Sequence, residues 1–122
     1  MDETAFKHWL DNYGQAWENR DPEAAAELYT QEGSYQVTPF VEPLRGREEI
    51  RKYWAEVART EQDISFWYEI LSVGEGFGVA HWRASFEITP QELRTNLDGI
   101  FLIKLDATGK CTSLQEWWHK QQ

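Results

Sequence analysis

Three histidines, one cysteine and no close-spaced His/carboxylate motif leave this sequence little with which to bind a metal ion. His81 and His119 fall at strand spacing on the face opposite Trp82, where histidine suits a surface or an interface. Asp98 lies within cross-strand reach of Arg83, and an ion pair suits the two better than catalysis. The lone Cys111 can form no disulfide within the chain. No phosphate-binding loop, dinucleotide motif or nucleophile elbow occurs, and Gly74–Gly78 is too short and lacks a strand-to-helix setting. No bound cofactor is therefore expected. What the chain does hold is aromatic surface: seven tryptophans, six phenylalanines and five tyrosines. Each such ring buries roughly 150–250 Å² when enclosed. Ligand pockets are walled mostly by apolar and aromatic groups with a few polar ones. The aromatic excess fits a heavy core or a pocket wall, and both can hold together.

The elements that would position these rings follow from hydrophobic periodicity. Phe6, Trp9, Leu10, Tyr13 and Trp17 form one helical stripe, so Asp2–Asn19 reads as an amphipathic helix. Asp21-Pro22-Glu23 is a restart signal: a cap, a first-turn proline and an acid at the positive helix end. An Ala-rich helix then runs to about Thr30, and Gly33 breaks it. Ser34–Thr38 reads as a short strand and Pro39–Arg45 as a loop. A third helix follows Gly46, with Ile50, Tyr53, Trp54 and Val57 on one face. From Ile64 the pattern becomes strands: Ile64–Val73, Val79–Thr89, Asn96–Leu105 and Cys111–Lys120, joined by short turns. The order ααβαββββ defines an α+β fold in which a mostly antiparallel, twisted sheet is covered by helices on one side.

A chain of 122 residues is one domain, spanning 1–122. A net charge of −9 argues against nucleic acid and anionic membranes as partners. The acidic start Met-Asp-Glu-Thr is no signal peptide, no apolar run approaches a membrane span, and the single cysteine fits a reducing, cytoplasmic setting. One strand asks for more than the helices can give. Leu97, Gly99, Phe101, Ile103 and Leu105 point one way, Ile100 and Leu102 the other. A strand with one solvated face alternates more cleanly. A second subunit would cover the outer face, which also carries His81, Arg83, Trp117 and His119, so a homodimer through the sheet is expected.

The chain resembles the nuclear transport factor 2-like superfamily, most closely its SnoaL-like bacterial members. The resemblance rests on Trp17 with Arg20-Asp21-Pro22, Leu28-Tyr29, Tyr35, Pro39-Phe40 and Leu44-Arg45-Gly46-Arg47-Glu48. Tyr53-Trp54, Trp82, Leu97-Asp98-Gly99 and Glu116-Trp117-Trp118 complete it. It implies a cystatin-like cone whose mouth opens into an apolar cavity, with dimerisation through the sheet. Relatives include ketosteroid isomerases, polyketide cyclases, scytalone dehydratase and limonene epoxide hydrolase, while others only bind ligands or proteins. The fold alone does not choose among them.

Set against the ketosteroid isomerase pattern, Tyr13 matches the oxyanion-stabilising tyrosine. Thr38 stands where the general-base aspartate precedes Pro39-Phe40, and Phe101 stands where the buried acid belongs. With two of three groups absent, steroid isomerisation is not expected. The same correspondence places Trp17, Tyr35, Phe40, Trp54, Trp82, Phe86, Phe101, Leu114 and Trp118 around a ligand pocket, with Tyr13 and Glu116 as its catalytic candidates. An inward Glu116 among Trp82, Phe101 and Trp118 would be pushed toward its neutral form. The alternative is a structural glutamate bonded to Tyr13, Arg83 or a backbone group. The leading expectation is a dimeric binder of a small hydrophobic molecule. A cofactor-independent lyase, isomerase or hydrolase is the second, and a protein-interaction module the third.

Overall fold

The computed structural model describes all 122 residues, Met1–Gln122. Helix α1 (Glu3–Glu18) begins at Asp2, whose carboxylate accepts from the Thr4 amide at 2.8 Å. Its apolar stripe is buried from Phe6 to Trp17. Helix α2 (Pro22–Glu27) is capped by Asp21, which accepts from the Ala24 amide at 3.1 Å. Helix α3 (Arg47–Thr60) buries Ile50 and Trp54.

The strands are β1 (Tyr29–Gln36), β2 (Leu44–Arg45), β3 (Glu61–Gly74), β4 (Phe77–Ile88), β5 (Leu93–Leu105) and β6 (Cys111–Lys120). They form one sheet in the order β2-β1-β6-β5-β4-β3. All pairs are antiparallel except β1 with β6. The sheet curls around α1 and α3 without closing. The α+β cone expected from the sequence is therefore present, with boundary differences. The second helix stops at Glu27, because Tyr29 already pairs with Cys111 on β6. Leu44 and Arg45, placed in a loop by their neighbouring prolines, form a short sixth strand against Tyr35 and Ser34. β5 starts at Leu93, ahead of the expected Asn96, because Leu93, Arg94 and Thr95 complete the ladder with β4.

Strand alternation sorts the side chains. Trp82, Ala84 and Phe86 on β4, Gly99, Phe101 and Ile103 on β5, and Leu114 and Glu116 on β6 face the helices and are buried. The rings interlock: Trp82 stacks on Phe101 at 5.0 Å and 16°, and Tyr13 meets Phe101, Trp54 and Phe66 edge-on at 5.3–5.5 Å. Gly99 permits this close layer, since a Cβ there would lie 2.5 Å from the Trp117 carbonyl and 2.8 Å from Trp82.

The outer face carries Trp67, Leu71 and Trp117, each more than 40% exposed. Arg83 lies over the Trp67 ring at 5.2 Å and pairs with Asp98 at 2.8 Å, as the sequence suggested. His81 bridges Glu69 and Asp98 at 3.1 and 3.0 Å.

Phe40 departs from expectation. It stands 98% exposed and takes no part in the pocket. The Val41 amide donates to the Thr38 carbonyl, and the Gln36 side-chain amide donates to the Pro39 and Val41 carbonyls. This self-contained turn holds Phe40 at its tip, away from the cone.

Candidate functional site

Inside the cone lies a cavity of about 50 Å³. Tyr13, Trp17, Trp54, Trp82 and Glu116 are its buried residues, and Val37, Tyr53, Val57, Glu61, Leu97 and Trp118 form its half-exposed side. The walls stand at steep angles to one another. Tyr13, Trp17 and Tyr53 meet Trp54 at 86°, 70° and 89°. No Lys, Arg or His lines the space.

Of the residues the sequence assigned to the site, Tyr13, Glu116, Trp17, Trp54, Trp82 and Trp118 meet around this cavity. Tyr35 sits behind it, buried, and its phenol donates to Glu116 Oε1 at 3.2 Å. Phe86 packs against Trp17 at 5.9 Å, Phe101 lies beneath Trp82 and Tyr13, and Leu114 is fully enclosed. These three fill the cone and do not line the open space. Their bulk is why the cavity is far below the roughly 300–1,000 Å³ of a drug-sized pocket.

Glu116 comes from β6, where it is the register partner of Phe101. Burial pushes its carboxyl well above the usual carboxylate range, and the bond from Tyr35 opposes this only in part. The bond partner is Tyr35, and none of the partners expected from the sequence bonds to it. Burial, reinforced by Glu116, also raises the Tyr13 phenol. Burial thus favours the proton-bearing form of both groups.

The indoles divide into two sets. Trp17 donates to Glu61, Trp118 to the Val37 carbonyl and Trp9 to the Leu28 carbonyl, all within 2.8–2.9 Å. Trp54 and Trp82 also line the cavity, but their Nε1–H groups are buried away from it and have no acceptor in the protein. A buried donor without a partner costs roughly 1–3 kcal/mol. Neither nitrogen is open to the cavity, so these two residues present apolar indole surface to it beside the Glu116 carboxyl.

Glu61 was not among the sequence candidates. It opens β3, accepts from Trp17 Nε1 at 2.8 Å, and burial raises its carboxyl to about 7. Tyr53 was read as part of the apolar face of α3 but not as a site residue, and its phenol is raised by burial and by Glu116. Its place beside Trp54 was the available signal. For Glu61 the signal was hidden by a bulge: three steps along β3, from Gln62 to Ser65, oppose two along β4, from Glu87 to Ser85. Asp63 at φ 52° absorbs the extra residue. Glu61 consequently pairs with Ile88 and turns to the inner face.

The fold is that of known proteins. One is the epoxide hydrolase/cyclase-like enzyme SalBIII, which acts in pyran ring formation in the polyether salinomycin. It matches with a TM-score of 0.83 at 19% identity, over 97% of this chain and 93% of its own. A candidate isomerase from Bacillus subtilis matches at TM-score 0.85 and 14% identity, over 98% and 90%. A protein of ketosteroid isomerase-like fold from Catenulispora acidiphila, solved in complex with trimethylamine, matches at 0.78 and 16%, over 89% and 83%. Sequence comparison with characterised proteins finds no match. These likenesses show the fold, a ketosteroid isomerase-like α+β cone. Within it, the profile of the SnoaL-like domain matches residues 10–114, and the chain belongs to that family.

Proposed function

We propose that this protein binds a small, largely apolar molecule inside the cone and that the guest carries an acceptor oxygen. The supporting observation is the aromatic-walled cavity lined by Tyr13, Tyr53 and the Glu116 carboxyl, whose burial favours the proton-bearing, donating form. At about 50 Å³ the space takes a guest of a few heavy atoms. A larger one requires the half-exposed side, Tyr53, Leu97 and Trp118, to yield. The trimethylamine complex of a fold neighbour supports a guest of that scale.

The test is a tryptophan-fluorescence titration with acetone, cyclopentanone, cyclopentanol and cyclopentane. The ketones should perturb Trp54 and Trp82 emission and saturate, and the hydrocarbon should bind more weakly. A signal unchanged by all four, with Glu116→Gln equally silent, overturns this reading.

We also assign the outer sheet face to a second copy of this chain. Trp67, Leu71 and Trp117 form its apolar part. The Arg83–Asp98 and His81–Glu69 pairs between them supply both signs of charge, which a two-fold contact can satisfy reciprocally.

A further inference from the structure

We propose that pairing of two copies of this chain through the outer sheet face is under proton control, tight while the His81 ring carries both its protons and weak once it has lost one. This rests on the outer-face assignment above and adds the group that regulates the contact.

A partner cannot cover this face and miss His81. Glu69, His81, Ile100 and Trp117 follow one another across β3, β4, β5 and β6. Trp67, Arg83, Asp98 and His119 form the neighbouring row on the same face. The exposed rings of Trp67 and Trp117 lie on the outermost two of these strands, β3 and β6, with His81 on β4 between them. The His81 side chain is already only 19% exposed. It also shapes the apolar surface itself, meeting the Trp67 ring at 5.2 Å and 83°, while Arg83 lies over the same ring at 5.2 Å.

Hydrogen bonding sets the charge of the imidazole. Nδ1 stands 3.1 Å from Glu69 Oε1, and Nε2 stands 3.0 Å from Asp98 Oδ1. An ionised carboxylate only accepts, so both nitrogens must donate, and a neutral imidazole has a single N–H. Arg83 donates to Asp98 Oδ2 at 2.8 Å and holds that carboxyl below its usual range. The bond to Glu69, aided by Asp98, raises the imidazole above its ordinary value, against burial and the charge of Arg83. The charged groups facing His81 are thus Glu69 from β3, Arg83 from β4 and Asp98 from β5, with His119 of β6 beyond Asp98. With both ring protons in place, His81 and Arg83 balance the two carboxylates. Loss of one proton leaves a carboxylate without its donor and the patch with an excess negative charge.

In the single chain, water solvates that carboxylate. Under a second copy it does not, and each subunit brings one such patch to a contact between chains of net charge −9. A buried charge stripped of its partner is strongly unfavourable. Pairing therefore tightens the hold of the ring on its second proton, and by reciprocity the proton tightens pairing. The contact has its full strength below the midpoint of the single chain and loses it as pH rises through the higher midpoint of the dimer. Each pH unit between the two midpoints is about tenfold per subunit, hence about 100-fold in the dimer dissociation constant.

The experiment is sedimentation velocity over a concentration series from pH 6 to pH 9, with the fold of each variant checked by circular dichroism. The wild-type dissociation constant should rise about 10- to 100-fold across this range. His81→Arg, charged throughout, should keep the tighter constant at pH 9, and His81→Gln, never charged, should show the weaker one at pH 6. His119→Gln should retain the wild-type pH dependence. Proton–carbon NMR of the histidine rings reads the same coupling with the native side chain in place. His81 should titrate at higher pH in the wild-type dimer than in the Trp117→Lys monomer. A wild-type constant equal at pH 6 and pH 9, a pH dependence that survives in His81→Gln, or equal His81 midpoints in dimer and monomer overturns the switch and leaves the dimer standing. A wild-type monomer at every pH overturns both.

Discussion

Replacing Glu61 by Gln should make the protein more stable at pH 8 and leave it unchanged at pH 4. Burial moves this carboxyl from 4.5 to about 7. Between those values the unfolded chain has released the proton and the folded chain still holds it. Wild-type stability must then fall as pH rises, and the loss is complete above the folded value. At 1.36 kcal/mol per decade the ceiling is about 3 kcal/mol, and solvent screening of a half-exposed group reduces it to about 2 kcal/mol. Gln cannot ionise, keeps an oxygen for the Trp17 N–H, and so avoids this loss. Glu116, whose carboxyl is raised in the same direction, is present in both proteins and cancels in the comparison. The assay is urea unfolding of both proteins from pH 4 to 8.5, monitored by circular dichroism. The two stability curves should coincide at pH 4, below the unfolded value, and diverge by about 2 kcal/mol at pH 8. In thermal melts this is roughly 8 °C, at about 4 °C per kcal/mol for a domain of this size. Parallel curves would mean that Glu61 ionises in the fold as it does in water.

Three further outcomes follow from the packing. Gly99→Ala should cost about 2–3 kcal/mol in urea unfolding, because the new methyl meets the Trp117 carbonyl at 2.5 Å and backbone cannot retreat as a flexible side chain can. Phe40→Ser should leave both stability and the fluorescence titration within error, since its ring is 98% exposed at a turn that Gln36 closes. Wild-type protein should sediment as a dimer and Trp117→Lys as a monomer with an unchanged far-ultraviolet spectrum; a wild-type monomer at micromolar concentration removes the outer-face assignment.

The cone was legible in the sequence because its signals are periodic. The stripe from Phe6 to Trp17 makes α1 amphipathic, Asp21-Pro22 restarts the chain, and the alternation in Val79–Thr89 and Asn96–Leu105 fixes which rings face the helices. Those periods also put Trp82 and Glu116 on one face, and β6 retains that register from Leu114 through Lys120. Phe40 failed for a related reason. Its neighbours Pro39 and Val41 make an apolar triplet, but a four-residue turn has no period, and only the hydrogen bonds of Gln36 decide where the ring points.

Glu61 marks the other limit. Alternation counted back from the inward Ile64, Phe66 and Tyr68 places residue 61 on the outer face, with Asp63 and Ser65. The extra residue at Asp63 reverses that parity for everything before it. Nothing in Gln62-Asp63-Ile64 announces a residue at positive φ, because aspartate adopts that conformation at modest cost and is common elsewhere. Two neighbours require the reversal. Thr60 ends α3 against the cone, its carbonyl taking the Thr89 amide at 2.8 Å, and Ile88 pairs with Glu61 from the inner face of β4. A strand continued from Ile64 without a bulge would turn Glu61 to solvent and leave Trp17 Nε1 without its acceptor. Deleting Asp63 should therefore remove the bulge and spare the inward carboxyl. Ile64 would then follow Gln62 directly, so regular alternation keeps Gln62 outward opposite Glu87 and Glu61 inward opposite Ile88. The pH-dependent stability difference expected for Glu61→Gln should then persist in that background.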